Sequence, residues 1–257
     1  MAPEPARTPI SPARKAVYKP VNRTAERIFF GGMAVLLCVV VFIGFFPTFF
    51  GAGMFRAPLP GNILKVHGAI FTTWMILLLV QAALIPANRL AWHRSLGTIA
   101  FCLPPVMIVL GVLTALDALA RHVRIGPLDP LVSLAIPLLG IAAFTVVIFA
   151  SWQARRKPAA HKRLIVLATI GLSQAALARF PWEQINVSRA KGGLIGLAIL
   201  LLLVIAYDLF STHRIHRSTL WAAPLIFAVG AFAVPVGMTA AWHSFAAFLA
   251  QNVAPYV

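Results

Sequence analysis

Residues 192–210 read GGLIGLAILLLLVIAYDLF, and the only charge among them is Asp208 near the end. Crossing the hydrocarbon layer of a bilayer as a helix takes about 20 apolar residues, and this run has that length. Lipid offers no partner to a backbone N–H or C=O, so a crossing segment must be a helix or part of a closed barrel. Barrel strands alternate apolar and polar residues, and this run does not alternate, which makes it a helix. Similar runs stand at about 26–50, 62–88, 93–119, 130–152, 161–180 and 218–250, the last long enough to end early and continue along the membrane interface.

The expected fold is therefore all-α: a polytopic membrane bundle of seven transmembrane helices over 26–250. Residues 1–25, MAPEPARTPISPARKAVYKPVNRTA, are rich in Pro, Ala and Arg and carry too little apolar surface to fold alone. They are expected to form a disordered basic cytoplasmic tail. The apolar run behind them exceeds the ~7–15 residues of a signal-peptide core, so it stays as the first helix.

Composition agrees. The chain is 60% hydrophobic and 11% charged, with a mean hydropathy of +0.88, whereas soluble domains carry about 25% charged residues. A formal charge of +16 raises the question of nucleic acid. The cations fall in short clusters between apolar runs, without a basic helix or an aromatic RNA-binding motif, so the bilayer is the expected partner and nucleic acid is not. A further copy of the chain, or a larger membrane complex, stays open as a second partner. Cys38 and Cys102 each sit in an apolar stretch with no Cys-x-x-Cys spacing, which points to buried thiols.

Cation placement sets the orientation. With alternating crossings, fifteen of the 22 Lys and Arg share the side of the N-terminus, among them Arg89, Arg94, Arg155, Arg156, Lys157, Lys162, Arg163, Arg214 and Arg217. The seven on the other side are Arg56, Lys65, Arg121, Arg124, Arg179, Arg189 and Lys191. The N-terminus is expected inside and the C-terminus outside. Pro104, Pro105, Pro224 and Pro235 are expected to kink their helices. Gly192 and Gly196 form a G-x-x-x-G, read as internal packing ahead of a dimer seam.

Connections are too short for a soluble domain, so any site lies within the bundle or at its ends. No phosphate-binding Gly loop, H-E-x-x-H, G-x-S-x-G or paired intramembrane carboxylates are present, which disfavours nucleotide-driven machines and membrane proteases.

What remains is a set of histidines. His93, His161 and His216 occur in AWHRSLG, AHKRLIV and IHRSTLW, each where the chain re-enters the membrane from the inner side and each followed by Arg or Lys. A polar residue there can meet unpaired N–H groups at a helix start while its neighbour reaches for headgroups. Alternatively, the helix dipole and nearby cations keep an imidazole neutral, with a lone pair for a metal or heme. His67 and His243 fall toward the outer half of the membrane, where ionisable groups are costly. His67, Trp74 and Gln81 are spaced to share one face of the second helix. His122 and His213 are expected in loops. Asp208 can pair with Arg214, Arg217 or a protonated histidine. Ser173 and Gln174 lie within the fifth helix, and Arg179, in RFPWEQ, sits at its outer end, where it either anchors or caps a pocket.

KVHGAIFTTWMILLLVQAALI (65–85), WHRSLG (92–97), HKRLIVLATI (161–170) and YDLFSTHRIHRSTLW (207–221) resemble a group of uncharacterised bacterial seven-helix inner-membrane proteins over about 62–245. That resemblance implies a fold and a place in a bacterial inner membrane, and no activity. A looser similarity links the chain to cytochrome b561 and heme A synthase proteins, which hold hemes with histidines at helix ends. Here the histidines stand at unequal depths, so no ligand pair transfers residue by residue.

The leading expectation is electron transfer or oxidoreductase chemistry at a heme b or metal. His67 and His243 form an outer site and His93, His161 and His216 an inner one, with Trp74, Gln81, Gln174, Arg179 and Asp208 in support. The alternatives are a transporter or binding protein for a small or lipid-like solute without a redox centre, and an assembly or structural subunit. No catalytic residue is assigned.

Overall fold

The computed structural model describes residues 22–52, 54 and 61–254. The expected tail lies outside the described residues except at its end: Asn22 caps the first helix, its Oδ1 accepting from the Thr24 and Ala25 N–H groups at 3.0 and 3.2 Å. Among the described residues the chain is all-helical. In order the helices are α1 (Arg23–Phe45), α2 (Asn62–Leu84), α3 (Leu90–Ala100), α4 (Leu103–Ala120), α5 (Pro130–Ser133), α6 (Ala135–Gln153), α7 (Pro158–Leu177), α8 (Arg189–Thr212), α9 (Arg217–Gly237) and α10 (Ala240–Asn252). A π-helical turn, Phe46–Phe50, extends α1, and a 3-10 turn, Trp182–Ile185, precedes α8.

Six segments are long and apolar enough to cross a membrane: Arg23–Phe50, Asn62–Leu84, Leu90–Ala120, Pro130–Gln153, Arg189–Thr212 and Arg217–Gly237. They make this an integral membrane protein by length and composition. Exposed Phe42, Ile76, Val109, Phe149, Leu202 and Phe232 cover the outside of the bundle; in water such surface would drive aggregation, whereas in acyl chains it needs no cover.

Helix α7 is absent from those six although it lies at the centre, packed on α1, α6, α8 and α9. Its first two turns carry His161, Lys162 and Arg163, and further along stand Thr169, Ser173 and Gln174. These groups lower its apolarity. A central helix has protein on all sides, so the neighbours satisfy polar groups that lipid would penalise. Leu167, Ile170, Leu197, Val147 and Val204 fill the core around it.

The helix expected over 93–119 is two helices. Prolines at 104 and 105 withhold the N–H groups that would bond back to Ala100 and Phe101, so α3 ends and α4 starts afresh, with both prolines in its first turn where no donor is needed. Pro224 and Pro235, by contrast, lie inside a continuous α9. The last expected run is likewise divided, into α9 and a separately capped α10.

Gly192 and Gly196 face inward. A Cβ at Gly192 would fall 2.2 Å from the Trp182 indole, and one at Gly196 would fall 2.8 Å from Leu177. The motif packs α8 on the end of α7.

Candidate functional site

The triplet His161–Lys162–Arg163 begins the central helix, and successive residues on a helix point about 100° apart. Each therefore reaches a different neighbour. His161 turns to α6, where its Nδ1 lies 3.0 Å from the Ser151 carbonyl and 3.1 Å from the Ser151 hydroxyl. Lys162 pairs with Glu26 of α1 and stands over the Phe30 ring at 5.0 Å. Arg163 turns to α8, donating from Nε to Asp208 Oδ1 at 2.8 Å and from a terminal nitrogen to the Ala159 carbonyl at 2.7 Å.

The Arg163–Asp208 pair is sealed, with side-chain exposures of 3% and 0%. The other carboxylate oxygen accepts from the His216 backbone N–H at 2.9 Å and from the Thr219 hydroxyl at 2.7 Å. Asp208 was expected to meet Arg214, Arg217 or a histidine ring. It meets Arg163 because Arg163 starts the central helix one neighbour away, whereas Arg214 and Arg217 are exposed.

His93 repeats the His161 arrangement one hairpin earlier: its Nδ1 lies 3.2 Å from the Gln81 carbonyl near the end of α2. The Gln81 amide competes for the same atom, since with its nitrogen toward α3 it donates to Nδ1 at 2.6 Å while its oxygen accepts from the Gly97 N–H at 3.0 Å. His216 departs from the pattern. It caps its own helix, Nδ1 accepting from the Ser218 N–H at 3.1 Å, and burial, followed by the nearby Arg163, pushes its pKa down.

At the far end of α2, His67 stacks on Phe71 with ring centres 4.0 Å apart. Its Nδ1 lies 3.3 Å from the Thr114 hydroxyl, whose own proton goes to the Leu110 carbonyl at 2.6 Å. A hydroxyl committed elsewhere can only accept, so His67 carries its proton on Nδ1 and keeps a lone pair on Nε2. The same reasoning applies to His161. Fourteen residues separate His67 from Gln81, which puts His67 and His93 at opposite ends of α2, about 21 Å apart along its axis.

The structure thus brings His93 and His161 to one end of the bundle, within electrostatic range of each other, and leaves His216 in the separate Asp208 network. No hydrogen bond or ring contact joins His67 to His243, which sits in the first turn of α10. Trp74 donates to the Thr169 hydroxyl at 3.2 Å and is a core residue. Gln174 donates to the Gly230 carbonyl at 3.4 Å beside a void of about 10 Å³ between α6, α7 and α9, room for a single water. Arg179 bonds the Ala175 carbonyl and covers the Phe45 ring at 4.5 Å. His122 and His213 are exposed and hold the left-handed conformation that ends α4 and α8, with φ of 52° and 55°.

Sequence reasoning missed Arg163, Ser151 and Thr114. The signal for Arg163 was the apolar run that follows it directly, which makes HKR the start of a helix as readily as a loop cluster. Ser151 and Thr114 had no signal, being single hydroxyls in long apolar runs. Among the described residues no group of three or more His, Cys, Asp or Glu gathers closely enough to hold a metal ion. The chain matches no family model, no curated protein and no solved structure.

Proposed function

We propose that this is a seven-crossing protein of a bacterial inner membrane, tail inside and C-terminus outside, which binds heme through imidazoles at its two ends and passes electrons between them. The seventh crossing is α7, whose 20 residues span about 30 Å. The surplus of cations on the side of the tail supports the orientation.

One observation carries the functional reading: His161 Nδ1 is held by the Ser151 carbonyl and hydroxyl and His67 Nδ1 by the Thr114 hydroxyl, leaving each Nε2 with its lone pair. Iron- or zinc-binding histidines are oriented in this way by an outer partner on the second nitrogen. A donor set of one or two imidazoles would suit a heme, whereas zinc takes three or four protein ligands. His161, with His93 beside it, would serve the inner site and His67 the outer one. Bound heme supplies one-electron exchange. The protein's own part is to fix the ring tautomers and surround them with apolar side chains that keep water out.

The test is the absorption spectrum of protein purified from cells supplied with heme precursor. A Soret band, with reduced-minus-oxidised bands, is expected, and His161→Ala and His67→Ala should each remove part of it. A colourless, iron-free preparation of folded protein would overturn the proposal.

A further inference from the structure

Both ends of α3 touch the same end of the bundle. At its start, His93 meets Gln81, one turn before α2 finishes. Just past its last residue, the Phe101 ring lies 4.8 Å from Trp152 and 6.1 Å from His161. Trp152 is the penultimate residue of α6 and His161 stands in the first turn of α7. A helix of 11 residues, about 16 Å long, that begins and ends at one level runs across the bundle end and not through the membrane. Helix α4, with 18 residues and about 27 Å, makes the crossing unaided.

The surface of α3 divides three ways. His93, Leu96, Gly97 and Ala100 form the partly or fully buried stripe at i, i+3, i+4, i+7. Trp92 and Ile99, 65% and 66% exposed, flank the stripe on one side. Arg94 and Thr98, also exposed, flank it on the other, roughly 130° away around the helix. One flank is apolar with an indole at its head and the other is polar and cationic. That is the arrangement of a helix lying at the boundary between acyl chains and headgroups.

The cations here pair with no anion among the described residues. Arg89 and Arg94 at the α2–α3 turn, and Arg155, Arg156 and Lys157 at the α6–α7 turn, are exposed, Arg155 lying 4.3 Å over Trp152. Of the described acids, Glu26 pairs with Lys162 and Asp208 with Arg163, while Asp117, Asp129 and Glu183 belong to the opposite end. The sixth acid of the sequence, Glu4, lies outside the described residues.

We propose that α3 is an in-plane interfacial helix and that, with the α6–α7 turn, it seats the phosphate of an anionic phospholipid headgroup. Trp92 and Ile99 rest in the acyl chains of that lipid's leaflet, and Arg94, Arg155, Arg156 and Lys157 face its phosphate. The site holds whichever leaflet this end of the bundle meets, so it stands independently of the heme proposal.

The experiment uses the full chain in phosphatidylcholine nanodiscs containing a minor fraction of phosphatidylglycerol, with retained lipid counted by native mass spectrometry. Phosphatidylglycerol should be enriched over its bulk share. Arg94→Gln should lower the enrichment about fivefold, and Arg155→Gln/Arg156→Gln/Lys157→Gln should abolish it. Lys65→Gln/Arg124→Gln/Lys191→Gln, at the opposite end, should leave it unchanged. No enrichment, an equal loss in the opposite-end variant, or full competition by millimolar inorganic phosphate would overturn the proposal. Fluorescence of Trp92, taken as the difference from Trp92→Phe, should be quenched more by lipid brominated near the headgroup than at the chain terminus. The reverse order would mean that α3 dips into the membrane, and would also overturn it.

Discussion

Ser151 and His161 face each other across the turn between α6 and α7, the imidazole Nδ1 lying 3.0 Å from the serine carbonyl and 3.1 Å from its hydroxyl. The contact ties the last turn of one helix to the first turn of the next. It also selects a tautomer, since the carbonyl only accepts. Removing the hydroxyl leaves the carbonyl in place, so Ser151→Ala should cost about 1 kcal/mol, the net worth of one hydrogen bond. Denaturant titration of the detergent-solubilised protein checks this. His161→Phe, which abolishes both contacts and fills the ring volume, should cost more, and equal losses from the two substitutions would contradict the account.

The Arg163–Asp208 pair makes a sharper test. Its charges are sealed, and Asp208 Oδ2 is engaged by the His216 backbone and Thr219. Removing one partner strands the other charge. Asp208→Leu or Arg163→Met should therefore each destabilise the protein by about 3–5 kcal/mol. The double replacement Arg163→Met/Asp208→Leu should recover much of the loss, because a well-packed apolar pair of similar volume removes both desolvation penalties. A double-mutant cycle on thermal unfolding reads the coupling. Additive losses would show that the two side chains act separately.

The helical nature of the apolar runs was legible, because lipid leaves a crossing chain few alternatives, and six segments are long and apolar enough to cross where seven were expected. Boundaries followed local chemistry the sequence also displays: Asn22, Ser188 and Thr239 as caps, and Pro104–Pro105 as a stop. What stayed hidden was depth. In HKRLIV the same three polar residues satisfy a loop or the head of a central helix, and only packing of α1, α6 and α8 around α7 decides for the latter. The histidine motif was visible as a repeat, yet its third copy does another job: His216 caps α9, while Asp208 supplies the tie between helices. Partners such as Ser151 and Thr114 lie in runs where nothing distinguishes them until the helices are assembled.

Acid should loosen the start of α9. The His216 Nδ1 accepts from the Ser218 N–H, which requires the neutral ring, and burial together with Arg163 lowers its pKa. A histidine whose folded pKa is lowered contributes stability that is complete above the unfolded value of about 6.5 and is lost as pH falls below it toward the native pKa. His216→Asn keeps a capping acceptor that does not titrate. The stability difference between wild type and His216→Asn should therefore shrink or reverse between neutral pH and pH 5. Parallel stability curves would rule out a role for the His216 cap in acid sensitivity.

Close approach of α1 to the central helix rests on Gly44, where an added Cβ would lie 2.4 Å from the Ala176 carbonyl oxygen, a backbone atom with no freedom to yield. Gly44→Ala should push α1 from α7 and cost about 1–3 kcal/mol, the usual penalty of overpacking. Gly32 lies on the same helix with nothing within 4 Å of its Cβ position. Gly32→Ala should be neutral or stabilising by up to about 1 kcal/mol, since alanine is the better helix former. Because α1 also carries Glu26, the partner of Lys162, displacing it at Gly44 strains the ion pair at its other end, and Gly44→Ala combined with Glu26→Gln should cost less than the sum of the two. Thermal unfolding of the four proteins under one detergent condition decides the matter, and strict additivity would mean that α1 bends locally at Gly44 and leaves its inner end in place.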